Sequence, residues 1–392
     1  MAKQADIYAR LAETDVDPDL SWSERDLPER ERTKHVHRLH PYLGKFVPQL
    51  VEVFLERHFN ERSVILDPFA GSGTTLVECS TFGCRSVGAD LSAFNALLCR
   101  VKTAVYNPFV VEKDLRAVLA EFSGVAAERH AQLVLSDSPG KPPIPTDGVA
   151  PWLIDWFDAR TLSELLLFRS IAAGHSESND LLNIVLSRSA RSARLVTHFG
   201  LDFPKDPQRE PYYCRKHSRI CQPTREAHKF LRRYTLDTIR RVKEYERLRR
   251  PVDVTVHHGD SRMLDYGVEF DGLITSPPYP GRIDYHEQHR YAFELLGLSD
   301  HRSDEIGAAE KGTSKAAVRA YVEDMAAVFR NSRKQMSKGS LAVIVIDDQR
   351  SLYAEILGES GFSIVERRKR HVNRRTGRRQ GEFFEEIILA RS

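Results

Sequence analysis

The chain has 392 residues, of which 41% are hydrophobic and 29% charged, and a formal net charge of +3. This is long enough for a substantial core and one further module, and too weakly charged for composition alone to demand a polyanionic partner. No apolar run reaches membrane-spanning length, charges stand where a secretory signal needs an apolar stretch, and the five cysteines are odd in number and scattered, so a soluble, cytoplasmic protein with reduced thiols is expected.

Residues 1–35 are charged and poor in apolar pattern, as in an arm. A stretch with Lys34, His35, His37, Arg38, His40 and Lys45 follows, in which His40, standing before a proline, reads as a turn residue or a ligand contact. Pro48 then opens a helix with Leu50, Val51, Phe54 and Leu55 at three-to-four spacing. The run Val64-Ile65-Leu66-Asp67 predicts a short buried strand, and it enters Pro68-Phe69-Ala70-Gly71-Ser72-Gly73, a turn from which a helix starts near Thr74 and continues to about Phe82. The two glycines let the backbone approach whatever lies above the strand end. The turn lacks both the Lys and Ser/Thr of a P-loop and the three glycines of a dinucleotide fingerprint. It carries a carboxylate instead, Asp67, able to neutralise an ammonium group. A second acid, Asp90, closes the strand Arg85 to Asp90 about twenty residues on, the spacing at which an acid accepts hydrogen bonds from a ribose. An amino group and a ribose on one ligand point to S-adenosylmethionine. Strand, helix and strand together imply a right-handed parallel crossover.

From about Val105 the pattern changes. Val111 to Val134, Trp152 to Ile171 and Asn179 to Arg194 show helical periodicity, the first two separated by the proline-rich loop 136–145, so residues 105–224 read as an inserted, mainly helical module. Between His198 and Pro223 an irregular segment interleaves Tyr212 and Tyr213 with Arg215, Lys216, His217 and Arg219, a mixture suited to phosphate and base contact. Cys214, His217 and Cys221 are metal-ligand types, but the segment has no Cys-x-x-Cys pair and no obvious fourth ligand, and no metal is expected.

A helix from about Arg225 to Arg249 and a strand from Val252 to Val256 come next. The strand ends in His257-His258-Gly259-Asp260-Ser261, where Asp260, with Ser261 beside it, is a candidate acceptor at the cofactor edge or a plain turn acid. Phe270 to Thr275 predicts another buried strand, ending in Ser276-Pro277-Pro278-Tyr279. Two consecutive prolines fix φ and remove two donors, leaving outward carbonyls unclaimed by any ladder. Ser276 and the Pro277 carbonyl can then accept the two protons of an exocyclic amino group while Tyr279 stacks on the base. The breaker-rich loop Pro280 to Tyr285 is placed to close over such a base. Helices follow from His286 to Leu298 and Lys315 to Met336, with strands from Leu341 to Ile346, Phe362 to Glu366 and Phe383 to Leu389. The connection between the last two holds Arg367, Arg368, Lys369, Arg370, Arg374, Arg375, Arg378 and Arg379, and reads as a basic loop for nucleic acid.

Asp67-Pro68-Phe69-Ala70-Gly71-Ser72-Gly73-Thr74-Thr75 and Thr275-Ser276-Pro277-Pro278-Tyr279 resemble the cofactor and catalytic motifs of the amino-methylating DNA methyltransferases, and Ser-Pro-Pro-Tyr is most typical of those that modify cytosine N4. His40 to Pro48 is similar to the segment these enzymes place against the methionine end of the cofactor, which implies roles for Tyr42, Lys45 and Phe46. The resemblance spans about 36–104 and from about 252 to the C-terminus. It implies an α/β fold: a doubly wound, seven-stranded, mostly parallel sheet with its last strand antiparallel, the helical insert between its second and third strands, and the cofactor motif first. It also implies S-adenosylmethionine as cofactor, Leu91 or Phe94 against the adenine, and direct methyl transfer to a cytosine flipped from duplex DNA. The Pro-Cys of carbon-5 methylation is absent. Adenine-N6 methylation, usually with Asp or Asn where Ser276 stands, RNA amino-methylation and non-catalytic DNA binding are the alternatives, and a cognate restriction endonuclease is a partner the resemblance raises. The expected divisions are an arm (1–35), a first catalytic part (36–104), the insert (105–224) and a second catalytic part (225–392).

Overall fold

The computed structural model describes residues 16–44, 47–135, 148–196, 206–215, 217–372 and 383–392. Its strands are β1 (Val64–Asp67), β2 (Arg85–Asp90), β3 (Tyr212–Cys214), β4 (Arg219–Cys221), β5 (Val254–His258), β6 (Phe270–Thr275), β7 (Met336–Ile346), β8 (Ser363–His371) and β9 (Phe384–Arg391). Seven of them form one sheet in the order β5-β2-β1-β6-β7-β9-β8. The first five are mutually parallel, and β9 runs antiparallel between β7 and β8. The expected doubly wound sheet with an antiparallel last strand is therefore present.

Alternation along each strand explains why both faces are covered. Ile65, Ile274, Val343, Val345 and Ile387 face a core shared with helices α1 (Pro48–His58) and α2 (Thr74–Phe82), while Leu66, Leu273, Ile344, Ile346 and Ile388 face a second core. Besides a single helical turn at Glu29–Arg32, the other α-helices among the described residues are α3 (Ala93–Thr103), α4 (Pro108–Leu135), α5 (Pro151–Trp156), α6 (Ala159–Ala173), α7 (Asn179–Ala193), α8 (His228–Glu246), α9 (Tyr285–Gln288), α10 (Arg290–Leu296), α11 (Lys315–Lys334) and α12 (Tyr353–Ser360). The second core takes Met325, Phe329, Ile356 and Leu357 from α11 and α12.

Helices α4 to α8 leave the sheet between β2 and β5 and share one core with α3, built on Leu98, Leu115, Phe122, Phe168, Ile184 and Leu231. Residues of α8, assigned above to the second catalytic part, thus lie in the same core as the insert. The predicted helix Trp152 to Ile171 is broken instead, because Phe157 is extended and the Asp158 side chain caps α6 through Arg160 N. The helix expected from His286 is likewise interrupted at His289. The segment expected to be irregular contains a β3–β4 hairpin. The described end of the N-terminal arm docks on the sheet edge, where Asp17 N donates to Lys369 O at 2.7 Å.

Candidate active site

Because β1, β2, β5 and β6 are parallel neighbours, the turns after them gather along one edge of the sheet. A cleft there has an empty volume of about 840 Å³, its open mouth included, and all four turns wall it: Pro68 to Ser72 with Thr74, Asp90 to Ser92, Gly259 to Ser261, and Ser276 with Pro278.

The turn after β1 is held from several sides. Ala70 N donates to Ala89 O at 2.9 Å, Gly71 N to Asp90 Oδ2 at 2.8 Å, Ser261 Oγ to Pro68 O at 2.7 Å, and the buried Lys102 Nζ to Ser72 O at 2.6 Å. Gly71 and Gly73 adopt φ of +51° and +76°, and a Cβ on either would lie 3.1 Å from a neighbour, Tyr42 Oη or Cys99 Sγ respectively.

Asp67 differs from expectation. Its carboxylate is fully buried beneath the turn rather than on the cleft wall, and Oδ1 accepts from Thr275 Oγ1 at 2.7 Å and Phe69 N at 3.2 Å. It braces the cofactor motif of β1 against the strand that carries Ser276, and burial pushes its pKa up to about 6 despite those donors. Asp90 does line the cleft. Its Oδ1 accepts from Ser92 N at 2.8 Å and Asn95 Nδ2 at 3.1 Å, and burial, partly offset by the surrounding N–H donors, likewise raises it to about 6.

Tyr42 lies over Gly71, accepts from Asn95 Nδ2 at 3.1 Å, and stacks on Tyr285 and His289 with ring centroids 5.7 and 5.4 Å away. Of the two candidates past Asp90, Leu91 is on the wall, whereas Phe94 is buried against His40 and His289. His40 is buried too, its Nε2 3.1 Å from Ser187 Oγ of the insert, and does not reach the cleft. Lys45 and Phe46 fall outside the described residues. Asp260 lines the cleft with both oxygens already held by Arg262, which outweighs the effect of burial and leaves its pKa below the usual carboxylate range.

Ser276 and Pro278 line the same cleft as the glycine turn, but Pro277 is buried and Tyr279 packs against the core, with the Arg282 guanidinium 5.9 Å from its ring centroid. One of the neighbouring carbonyls, free of any ladder, is taken by a side chain instead: Pro278 O accepts from Tyr321 Oη at 2.9 Å. Sequence reasoning missed Asn95, Tyr285, His286, Asp304 and Glu305, which complete the wall. Glu305 accepts from Tyr285 N at 2.8 Å and lies 2.9 Å from His286 Nδ1, tying two loops distant in sequence. No spacing or motif marks these residues.

The basic cluster also differs. Arg367 to Arg370 belong to β8 rather than to a loop, and their guanidinium groups are engaged: Arg367 with Glu386, Arg368 with Asp17 and Glu366, and Arg370, buried, with Glu385 at 2.6 Å. Arg370 therefore has no surface to offer a phosphate. Lys369 is exposed, as is Arg215 of the hairpin turn, while Arg374, Arg375, Arg378, Arg379 and Lys216 lie outside the described residues.

A family model described as DNA methylase, of the N6/N4 class, matches residues 2–96. The type II methyltransferase M.MjaII of Methanocaldococcus jannaschii is 35% identical over 430 residues, covering 92% of this chain and 81% of that protein. This chain belongs to the N6/N4 DNA methyltransferases. A second relative, M.MvaI of Kocuria varians, is 35% identical over 75 residues, or 18% of this chain and 16% of that protein. Among solved structures, TrmN from Thermus thermophilus (11% identity, TM-score 0.33, 89% of this chain and 50% of that one) and a methyltransferase from Pyrococcus furiosus (9%, 0.32, 100% and 98%) overlap too loosely for residue correspondence.

The methyl donor of this methyltransferase is S-adenosylmethionine, and the cleft fits it. Asp90, Asp260, Asp304 and Glu305 line the wall, and among the described residues no Lys or Arg does, so the lining favours a cationic ligand and disfavours a polyphosphate. When bound, the cofactor supplies an electrophilic methyl group. The turn Pro68 to Ser72, Asp90, Leu91, Tyr42 and Ser261 line the cleft and are the residues that could hold it.

Proposed function

We propose that this methyltransferase modifies the exocyclic N4 amino group of cytosine in duplex DNA, acting on a base rotated out of the helix. The observation that carries the reading is that Ser276, where adenine enzymes usually have Asp or Asn, shares the cleft wall with Gly71 and Asp90. In this reading Ser276 Oγ and the Pro277 carbonyl accept the two amino protons and turn the nitrogen lone pair toward the donor. Alignment supplies most of the rate, since no covalent base adduct is required. Exposed Lys369 and Arg215, with Lys216, Arg374, Arg375, Arg378 and Arg379, supply phosphate contacts, and the helical insert contributes target recognition. The type II designation of M.MjaII raises a restriction endonuclease as partner in a cytoplasmic restriction–modification pair.

The test is Ser276→Ala with S-adenosylmethionine and duplex DNA. Transfer should fall at least a hundredfold, the range of a lost oriented acceptor of about 3 kcal/mol, with cofactor affinity near wild type. Digestion of the product to nucleosides identifies the base: N6-methyladenine in place of N4-methylcytosine refutes the assignment, and unchanged turnover in the variant refutes the role of Ser276.

A further inference from the structure

The β3–β4 hairpin lies outside the cleft and has a composition its size does not explain. Two paired strands of three residues each are marginal on their own in water, and its large apolar side chains Tyr213 and Ile220 are 61% and 58% exposed. What it buries are two sulfurs: Cys214 is 0% and Cys221 5% exposed. Among the described residues of the hairpin no other side chain is buried, and a sulfur-lined interior in so small a unit is the pattern of one held by a bound ion.

We infer that Cys214, His217 and Cys221 bind a zinc ion that staples this hairpin. The Sγ atoms of Cys214 and Cys221 and one ring nitrogen of His217 all lie within 4.8 Å of one another. Zn–S and Zn–N bonds of about 2.3 and 2.05 Å at tetrahedral angles put sulfur and nitrogen ligands about 3.6 Å apart. His217 Nδ1 stands 3.3 Å from Cys221 Sγ, close to that spacing without any rearrangement of the backbone. His217 N also donates to Cys214 Sγ at 3.3 Å, the kind of backbone bond that stabilises a thiolate, and Ser218, at a φ of +51°, turns the chain so that Cys221 returns beside it. A disulfide does not fit the register. Cys214 is opposite Arg219 and Cys221 opposite Tyr212, so the cysteines are diagonal, and diagonal Cβ atoms lie beyond the roughly 4 Å a disulfide spans. Two thiolates and a neutral imidazole suit zinc, with water in the fourth position. The absence of a Cys-x-x-Cys pair, which argued against metal in the sequence, is made good by the strand pairing that returns Cys221. The stapled hairpin then presents Tyr213, Arg215 and Arg219 on a fixed backbone.

The full-length protein, purified without chelator, should contain zinc stoichiometric with the chain, and cobalt substitution should give a thiolate-to-metal charge-transfer band in the near ultraviolet. Cys214→Ser and Cys221→Ser should each at least halve the band, because one of its two thiolates is removed, and the double variant should lose it; His217→Cys should keep it with a shifted spectrum, and all three single variants should bind S-adenosylmethionine as wild type does, showing that the fold survives. Chelation should open the hairpin to trypsin at Arg215 and Arg219. Protein that binds neither zinc nor cobalt after refilling, or a band that persists in the Cys214→Ser, Cys221→Ser double variant, overturns the assignment.

Discussion

Asp90→Asn isolates the grip on the glycine turn. The two Asp90 oxygens accept from three N–H groups: Gly71 N at 2.8 Å, Ser92 N at 2.8 Å and Asn95 Nδ2 at 3.1 Å. An amide has one oxygen and one NH2, so one face must change from acceptor to donor. With the NH2 on the Oδ2 side it confronts the Gly71 N–H. On the Oδ1 side it confronts the Ser92 N–H, which a flip of the Asn95 amide cannot relieve. A hydrogen bond to a charged acceptor is worth about 1.5–3 kcal/mol, which at about 1.4 kcal/mol per decade predicts roughly ten- to 150-fold weaker cofactor binding. Isothermal titration with S-adenosylmethionine measures this, with circular dichroism to confirm that the sheet is intact. Affinity within twofold of wild type would show that Asp90 does not order the turn.

The raised pKa of Asp67 and Asp90, each about 6, has a definite sign. Folding favours their protonated forms, so their contribution to apo-protein stability is fully present below the ordinary carboxylate range and is lost as pH rises through about 6. A cationic ligand beside Asp90 favours the carboxylate, so cofactor binding near pH 6 should release protons, read as a buffer-dependent binding enthalpy that vanishes near pH 8; identical enthalpies in all buffers at pH 6 would contradict this. Arg370→Met should cost stability, up to about 3 kcal/mol, because the partly buried Glu385 is left without its guanidinium, while the salt dependence of DNA binding stays unchanged. Lys369→Ala should do the opposite, sparing the melt and lowering the salt slope by about one; a reversed pattern in filter binding and denaturant melts would return Arg370 to the interface. Tyr321→Phe removes the donor to Pro278 O and the 3.0 Å link to Tyr353, so kcat should fall while cofactor affinity holds; an unchanged kcat would mean that the prolines alone fix the catalytic turn.

Much of the framework could be read from local pattern. Val64 to Asp67 and Phe270 to Thr275 are apolar runs, and Arg85 to Asp90 a strand-like run, all too short for helices and bounded by turn residues, so each strand appears where expected, and Gly71 and Gly73 take the positive φ their type permits. Helix breaks were less legible. Asp158 caps α6 through one side-chain bond, and that choice between helix and cap depends on the packing of α5 and α6 rather than on periodicity.

What the sequence by itself determined is that two motifs, a glycine turn and Ser-Pro-Pro-Tyr, sit at the ends of buried parallel strands, because strand length, turn chemistry and the order of apolar runs are local properties of the chain. Only the tertiary structure decided how charge is spent. Arg370 and Glu385 lie 15 positions apart and pair only because β8 and β9 are antiparallel neighbours, which turns an expected DNA contact into a buried brace. Asp67 meets Thr275 across 208 positions, and Glu305 meets the loop at Tyr285 through a fold no spacing announces. An ionisable side chain is an available ligand or a spent one according to which partner the sheet order brings within about 3 Å, and sheet order is a property of the whole chain.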